Sequence, residues 1–147
     1  MGPLHSTGRL VRRAVVLRDV RLGVVVDTLL DRPLRRVVGF EVRCVDGAHR
    51  FLPFPACEIK DGRVEVESSL VLLDRDLDFY RLGGSAFTEL EGLPVRLRDA
   101  AVGDLIDVRF AAEGDVSTIV VSTPKGEREL APGPGLALGN HLLRPAV

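Results

Sequence analysis

Apolar and polar positions alternate most clearly between Val37 and Cys44. Val38, Phe40, Val42 and Cys44 fall on one face, and Glu41 and Arg43 on the other. A period of two predicts a half-buried β-strand. Val24 to Leu30 is a denser run of β-branched and aliphatic residues, as for a strand covered in part on both faces. Lys60-Asp61-Gly62-Arg63 carries the Asp-Gly pair that accepts the positive φ of a tight hairpin, and Val64 and Val66 alternate with Glu65 and Glu67 beyond it. Further turns are predicted at Asp31-Arg32-Pro33, Asp46-Gly47, Glu113-Gly114-Asp115 and Pro124-Lys125-Gly126. Short strands punctuated this often predict small barrels or sandwiches, and the lack of crossover helices excludes a parallel α/β sheet.

The chain repeats itself. A shift of 80 positions lays Val15, Leu17, Arg18 and Asp19 on Val95, Leu97, Arg98 and Asp99, Gly23 on Gly103, and Asp27 on Asp107. After the next turn the shift becomes 79. Val37 then meets Val116, Val42 meets Val121, Gly47 meets Gly126, Phe51 meets Leu130 and Pro53 meets Pro132. The expected fold class is therefore all-β, with two small barrels in tandem: residues 8–67, a connector at 68–88, and residues 89–147. The second unit is expected to close like the first, with Gly139-Asn140 as the turn and 141–144 as the returning strand. Within the connector, Ser69 is placed to cap a short helix over 68–80, with Leu70, Leu73, Leu77 and Tyr80 on one face. Alternatively, Leu70-Val71-Leu72-Leu73 extends the preceding strand. A barrel of some sixty residues buries too little surface to be robust alone, so the units are expected to pack together.

The succession of the 22–31 strand, the Val37-Val38-Gly39-Phe40-Glu41-Val42 strand, an Asp-Gly turn, Arg50-Phe51-Leu52-Pro53-Phe54 and Val64-Glu65-Val66 resembles the PRC-barrel family. These are the small β-barrels of the photosynthetic reaction-centre H subunit and of a ribosome maturation factor. The second unit keeps the strand from Val102 to Phe110 but has Leu130-Ala131-Pro132 in place of Leu-Pro-Phe. The ribosome factor's additional barrel and the H subunit's membrane helix have no counterpart in the sequence. The resemblance implies a fold and a habit of docking onto larger assemblies, and supplies no catalytic residues.

Composition narrows the choice. The 147 residues suit one ordinary domain or two small ones, with 46% apolar and 28% charged residues. Twenty Lys and Arg against 21 Asp and Glu do not suit a protein whose main task is coating nucleic acid. No apolar run approaches the ~20 residues needed to span a bilayer, and no signal-peptide pattern is present, so a cytoplasmic location is expected. Cys44 and Cys57 lack CxxC spacing and are expected to be buried free thiols.

The histidines, His5, His49 and His141, adjoin no nucleophile pattern. His5 is expected in a mobile terminus, and the other two as exposed residues beside turns. The repeated Asp27 and Asp107 either bind a small ligand or metal as a pair, or each make a structural hydrogen bond within their own barrel. Arg18-Asp19 and Arg98-Asp99 are expected as turns. Gly133-Pro134-Gly135-Leu136-Ala137-Leu138-Gly139 lacks the spacing and βαβ context of a dinucleotide site and is expected to be a loop. Residues 1–50 hold ten Arg and five acids, whereas 58–91 hold four cations and nine acids. Arg12, Arg13, Arg32, Arg35, Arg36, Arg43 and Arg50 therefore either form a partner-binding face or neutralise the acidic segment 74–78.

The resulting expectation is a non-enzymatic adaptor without metal or cofactor that docks onto protein partners or onto itself. The alternatives are an RNA- or ribosome-associated factor using the arginines of the first unit, and ligand or metal binding at Asp27 and Asp107.

Overall fold

The computed structural model describes residues 3–32, 34–74, 77–139 and 141–142. It opens with β1 (His5–Ser6) and α1 (Thr7–Leu10), then β2 (Ala14–Leu17), β3 (Val20–Asp31), β4 (Val37–Cys44) and β5 (His49–Pro53). A 3-10 turn at Phe54–Ala56 leads to the hairpin β6 (Cys57–Lys60) and β7 (Arg63–Val66). The connector holds a 3-10 turn at Ser69–Val71 and helix α2 (Leu77–Gly83). The second half runs β8 (Gly84–Ala86), α3 (Phe87–Leu90), β9 (Pro94–Leu97), β10 (Ala100–Phe110), β11 (Val116–Thr123), β12 (Gly126–Leu130), β13 (Leu136–Leu138) and β14 (His141–Leu142).

The protein is mostly β, with two seven-stranded sheets, one of them curled into a half-barrel. The first is ordered β5-β4-β3-β2-β7-β6, with β8 added on β3. The second is ordered β12-β11-β10-β9-β13-β14, with β1 added on β10. Their registers coincide at the 80-position shift. Val15 faces Gly23 as Val95 faces Gly103, and Asp27 faces Glu41 as Asp107 faces Val120, with a register irregularity just before each aspartate. Both glycines have the same cause. A Cβ on either would stand 2.5 Å from a carbonyl oxygen of the next strand, that of Arg43 or of Ser122. The expected Arg-Asp turns are present twice, with φ of 48° and 67° at Arg18 and Asp19, and of 50° and 68° at Arg98 and Asp99. Two successive residues with positive φ suit the twist of a tight hairpin.

Neither sheet is built from one half of the chain. The leader strand β1 precedes the first sheet's strands yet pairs with β10 of the second, His5 opposite Phe110. Reciprocally, β8 precedes the second sheet's strands yet pairs with β3 of the first, Ser85 opposite Leu30. The β3–β4 and β10–β11 loops also meet. The Val37 amide donates to the Gly114 carbonyl, and the Val116 amide to that of Arg35. Beneath these crossings lies one shared core. A single cluster of buried side chains joins Val15, Phe40, Val42 and Leu52 to Val95, Leu105, Val108 and Ile119. Phe54 packs edge-on against Phe110 at 5.8 Å between centroids, tying the halves directly.

The expectations fail in four places. The halves do not close alike: β7 runs parallel to β2, whereas β13 runs antiparallel to β9, with β14 outside it. Residues 143–144 of the expected returning strand, and Asn140 of its turn, lie outside the described residues. The connector helix starts at Leu77 rather than near 69. The cap of the earlier 3-10 turn is Ser68, and Leu70 is 85% exposed. Leu73 instead lies extended along β5, exchanging two backbone hydrogen bonds with Phe51. The 133–139 segment is not all loop, since Leu136–Leu138 form β13. Finally, register pairs Phe40 with Leu52 and Ile119 with Leu130, so the shift across β5 and β12 is 78: Leu52, not Phe51, is the counterpart of Leu130.

One position departs from its repeat at a cost. Thr28 is fully buried with a hydroxyl that has no hydrogen-bond partner among the described residues, where the second repeat places Val108 in the core. Leaving such a hydroxyl unsatisfied costs about 1–3 kcal/mol. Thr28→Val is expected to raise stability by about 1 kcal/mol, read as a higher urea midpoint at unchanged slope. An unchanged or lower midpoint would count against it.

Candidate functional site

The repeated aspartates sit at the strand irregularities, where the bent backbone turns a side chain toward the incoming leader. Asp107 of β10 accepts hydrogen bonds from Ser6 Oγ at 2.6 Å, Thr7 Oγ1 at 3.1 Å and the Gly8 amide at 3.0 Å. Its neighbour's amide, that of Val108, donates at 2.9 Å. Asp27 of β3 does the same for the other leader, accepting from the Thr88 amide at 3.1 Å, from the Thr88 hydroxyl, and from the Thr28 amide at 2.9 Å. Each carboxylate thus satisfies the free donors at the start of a short helix that belongs to the opposite repeat. The hydrogen bonds are structural, as expected, but they reach across the halves rather than staying within one barrel.

The two sites differ in their surroundings. Burial raises the Asp27 carboxyl above its ordinary 3.8, outweighing the hydrogen bonds from Thr88 and Thr28, and Glu41 on the adjacent strand adds repulsion. Glu41 is 6% exposed and is held by Arg81 of α2, with Nη1 3.3 Å from Oε1, and by His49 Nδ1, 2.6 Å from Oε2. His49 is therefore a partner of a buried carboxylate rather than a bystander of its turn. At Asp107 the facing residue is Val120, and the added charge is Arg109, with Nε 3.7 Å from Oδ2. His5, expected in a mobile terminus, is held in β1 against the Phe110 ring at 5.4 Å, and burial lowers its pKa from 6.5.

The seven candidate arginines fall in separate places. Arg12 and Arg13 follow α1, Arg32, Arg35 and Arg36 occupy the β3–β4 loop, Arg43 ends β4, and Arg50 lies in β5. Arg36 pairs with Asp115 of the opposite repeat at 3.4 Å. Arg50 pairs with Asp46 at 2.9 Å and with Asp74 of the connector. The loop group and the Arg43–Arg50 pair stand at opposite ends of β4, about 20 Å apart at the rise of a strand. Both cysteines are free. Cys44 is buried, and burial pushes the Cys57 thiol up to about 12.

Among the described residues no cluster of three or more His, Cys, Asp or Glu is arranged to hold a metal ion. Nor is any helix long and apolar enough to cross a membrane. No protein-family model matches the chain, and no curated protein matches it. The resemblance drawn from the strand order therefore stands on the residues alone.

Two measurements address the aspartate clamps. Asp107→Ala strands the donors of Ser6, Thr7 and Gly8, and is expected to cost about 2–4 kcal/mol. Amide exchange should accelerate at 5–10 while the β4–β5 amides stay protected; protection kept at 5–10 would remove the clamp. Asp27 has the opposite pH sense to an ordinary stabilising carboxylate. Its folded pKa lies above the unfolded one, so its contribution is fullest at low pH and declines as pH rises through 3.8 toward the folded value. Asp27→Asn, neutral throughout, should lack that decline. Urea midpoints of variant and wild type should draw apart in the variant's favour as pH increases over that window.

Proposed function

We propose that the protein is a non-enzymatic adaptor of the PRC-barrel type, docking onto protein partners or onto further copies of itself. The observation carrying this reading is the reciprocal exchange of leaders, which joins two related sheets with unlike outer faces into one body. On the first sheet, Leu29 and Phe51 are covered by Leu77 and Tyr80 of the connector. At the matching positions the second sheet carries Arg109 and Glu129, ion-paired at 2.6 Å, the arginine half-buried and the glutamate exposed. A body with two related, differently coated faces suits bridging between macromolecules, and linkage of two weak contacts raises their joint affinity. The ionisable groups buried at the junction are taken up in holding the leaders and Glu41, which favours a scaffold over a reaction centre. The separation of the arginines into distinct groups, with Arg36 and Arg50 ion-paired, weighs against the RNA alternative.

Size-exclusion chromatography with light scattering over a range of concentrations, together with affinity capture, tests the reading. The expected result is self-association, or a captured protein that re-forms a stoichiometric complex when both are purified. A monomer that re-forms no complex would overturn it.

A further inference from the structure

A cleft of about 570 Å³ opens where α1 and β1 meet the tip of the β6–β7 hairpin and β10. Its volume lies within the range of built ligand sites, about 300–1,000 Å³. Leu4, Leu10 and Ile59 give it apolar wall, and its charged lining is the three guanidiniums of Arg9, Arg13 and Arg109 against the two carboxylates of Asp61 and Asp107. The charges are unevenly satisfied. Arg109 is held by Asp107 and Glu129, and Asp107 already accepts from the leader. The guanidiniums of Arg9 and Arg13 make no ion pair with a carboxylate among the described residues. Arg13 is nevertheless held in place. Its Nε donates to the Arg9 carbonyl at 3.1 Å, and its terminal nitrogens lie over Gly62, where a Cβ would come within 3.7 Å of Nη1. His5 beside them is biased toward its neutral form by burial.

We infer that this cleft, between the leader of one repeat and the closing hairpin, binds an acidic peptide segment of a protein partner. Two unpaired guanidiniums present forked donors that match carboxylates, and the adjoining leucines and isoleucine suit the apolar side chains of such a segment. Nucleic acid fits less well. Salt-sensitive binding to a phosphate backbone draws on some 6–10 contacts, and here two guanidiniums without a carboxylate partner among the described residues adjoin apolar wall. The inference rests on the adaptor reading and specifies the chemistry of its partner.

Fluorescence anisotropy on the full chain tests it with three labelled probes: a short peptide alternating Asp and Glu with Leu, the same peptide with Lys for the acids, and an oligouridylate. The acidic peptide should bind, and more weakly as salt rises. Arg9→Glu combined with Arg13→Glu should weaken it about tenfold or more, whereas Arg21→Glu combined with Arg128→Glu, an equal charge change at exposed positions outside the cleft, should not. Arg9→Ala with Arg13→Ala serves if the first pair fails to fold. Equal binding of both peptides, preference for the oligouridylate, or indifference to the paired substitutions would overturn the assignment. A purified partner that still binds the paired variant would leave the adaptor reading standing and remove the cleft alone, whereas absence of any partner complex would remove the adaptor reading itself.

Discussion

The interaction on which the rest of the structure depends is a carboxylate on a bent strand capping a helix of the opposite repeat. A four-residue helix cannot hold itself together in water, because nucleation orders several residues for one hydrogen bond. Helices α1 and α3 exist because Asp107 and Asp27 take their leading donors and because β1 and β8 are zipped to β10 and β3. Removing one half of the chain would therefore leave the other sheet without a strand, a helix and the partner of its clamping aspartate. The shared core follows from the same constraint. Leu10 and Leu90, at the ends of those helices, are buried in the single cluster that spans both sheets.

The two copies have since been fitted to different neighbours, and the differences are local and physical. Where the connector lies over the first sheet, its outer face offers Leu29 and Phe51, and Tyr80 stacks on Phe51 at 4.0 Å. Where nothing described covers the second sheet, the same positions are Arg109 and Glu129. Glu41 in place of Val120 is the exception, a carboxylate beneath the cover. It is tolerated because α2 brings Arg81 and β5 brings His49 to it, and truncating either partner would leave a buried charge short of compensation. Its repulsion adds to the burial that raises the Asp27 carboxyl.

Much of this was legible in the residues. The Arg-Asp turns, the glycines at 23 and 103 and the long strands through Asp27 and Asp107 are local devices that the shift of 80 located twice, and the Asp61-Gly62 hairpin is a local device of the first half alone. The exchange was not legible, because leader strands of two or three residues are too short to show a period and nothing in them says which sheet they join. The connector misled for a related reason. Leu70, Leu73, Leu77 and Tyr80 have helical spacing, but the open edge of β5 took Leu73 in extended form, and backbone pairing with Phe51 outweighed continuation of the 3-10 turn that Ser68 caps. Alternation in β4 suggested one wet face, yet only Arg43 is exposed there, since α2 brings Arg81 to Glu41 and Leu77 and Tyr80 to the cluster against which Val38 packs. The arginine list drew on composition, which carries no information about faces. It included Arg13 but not Arg9, which the last turn of α1 brings beside it.

The unequal closure of the two sheets bears directly on that pair of arginines. In the second repeat the antiparallel strand β13 turns at Gly139, whose amide donates to the Pro94 carbonyl at 2.8 Å and whose backbone lies against Leu93. In the first, the hairpin enters in the opposite sense, and its tip at Gly62 meets Arg13, the residue that the 80-position shift lays on Leu93. The same shift lays Arg9 on Glu89. A junction packed by leucine and closed by a turn in one copy is thus bordered by two guanidiniums in the other. Such a substitution is costly only where a side chain is buried, and both arginines are exposed, so the fold tolerates them without needing them. The exchange therefore holds the body together through the aspartates, while reversal of one closing strand frees the first junction for recognition.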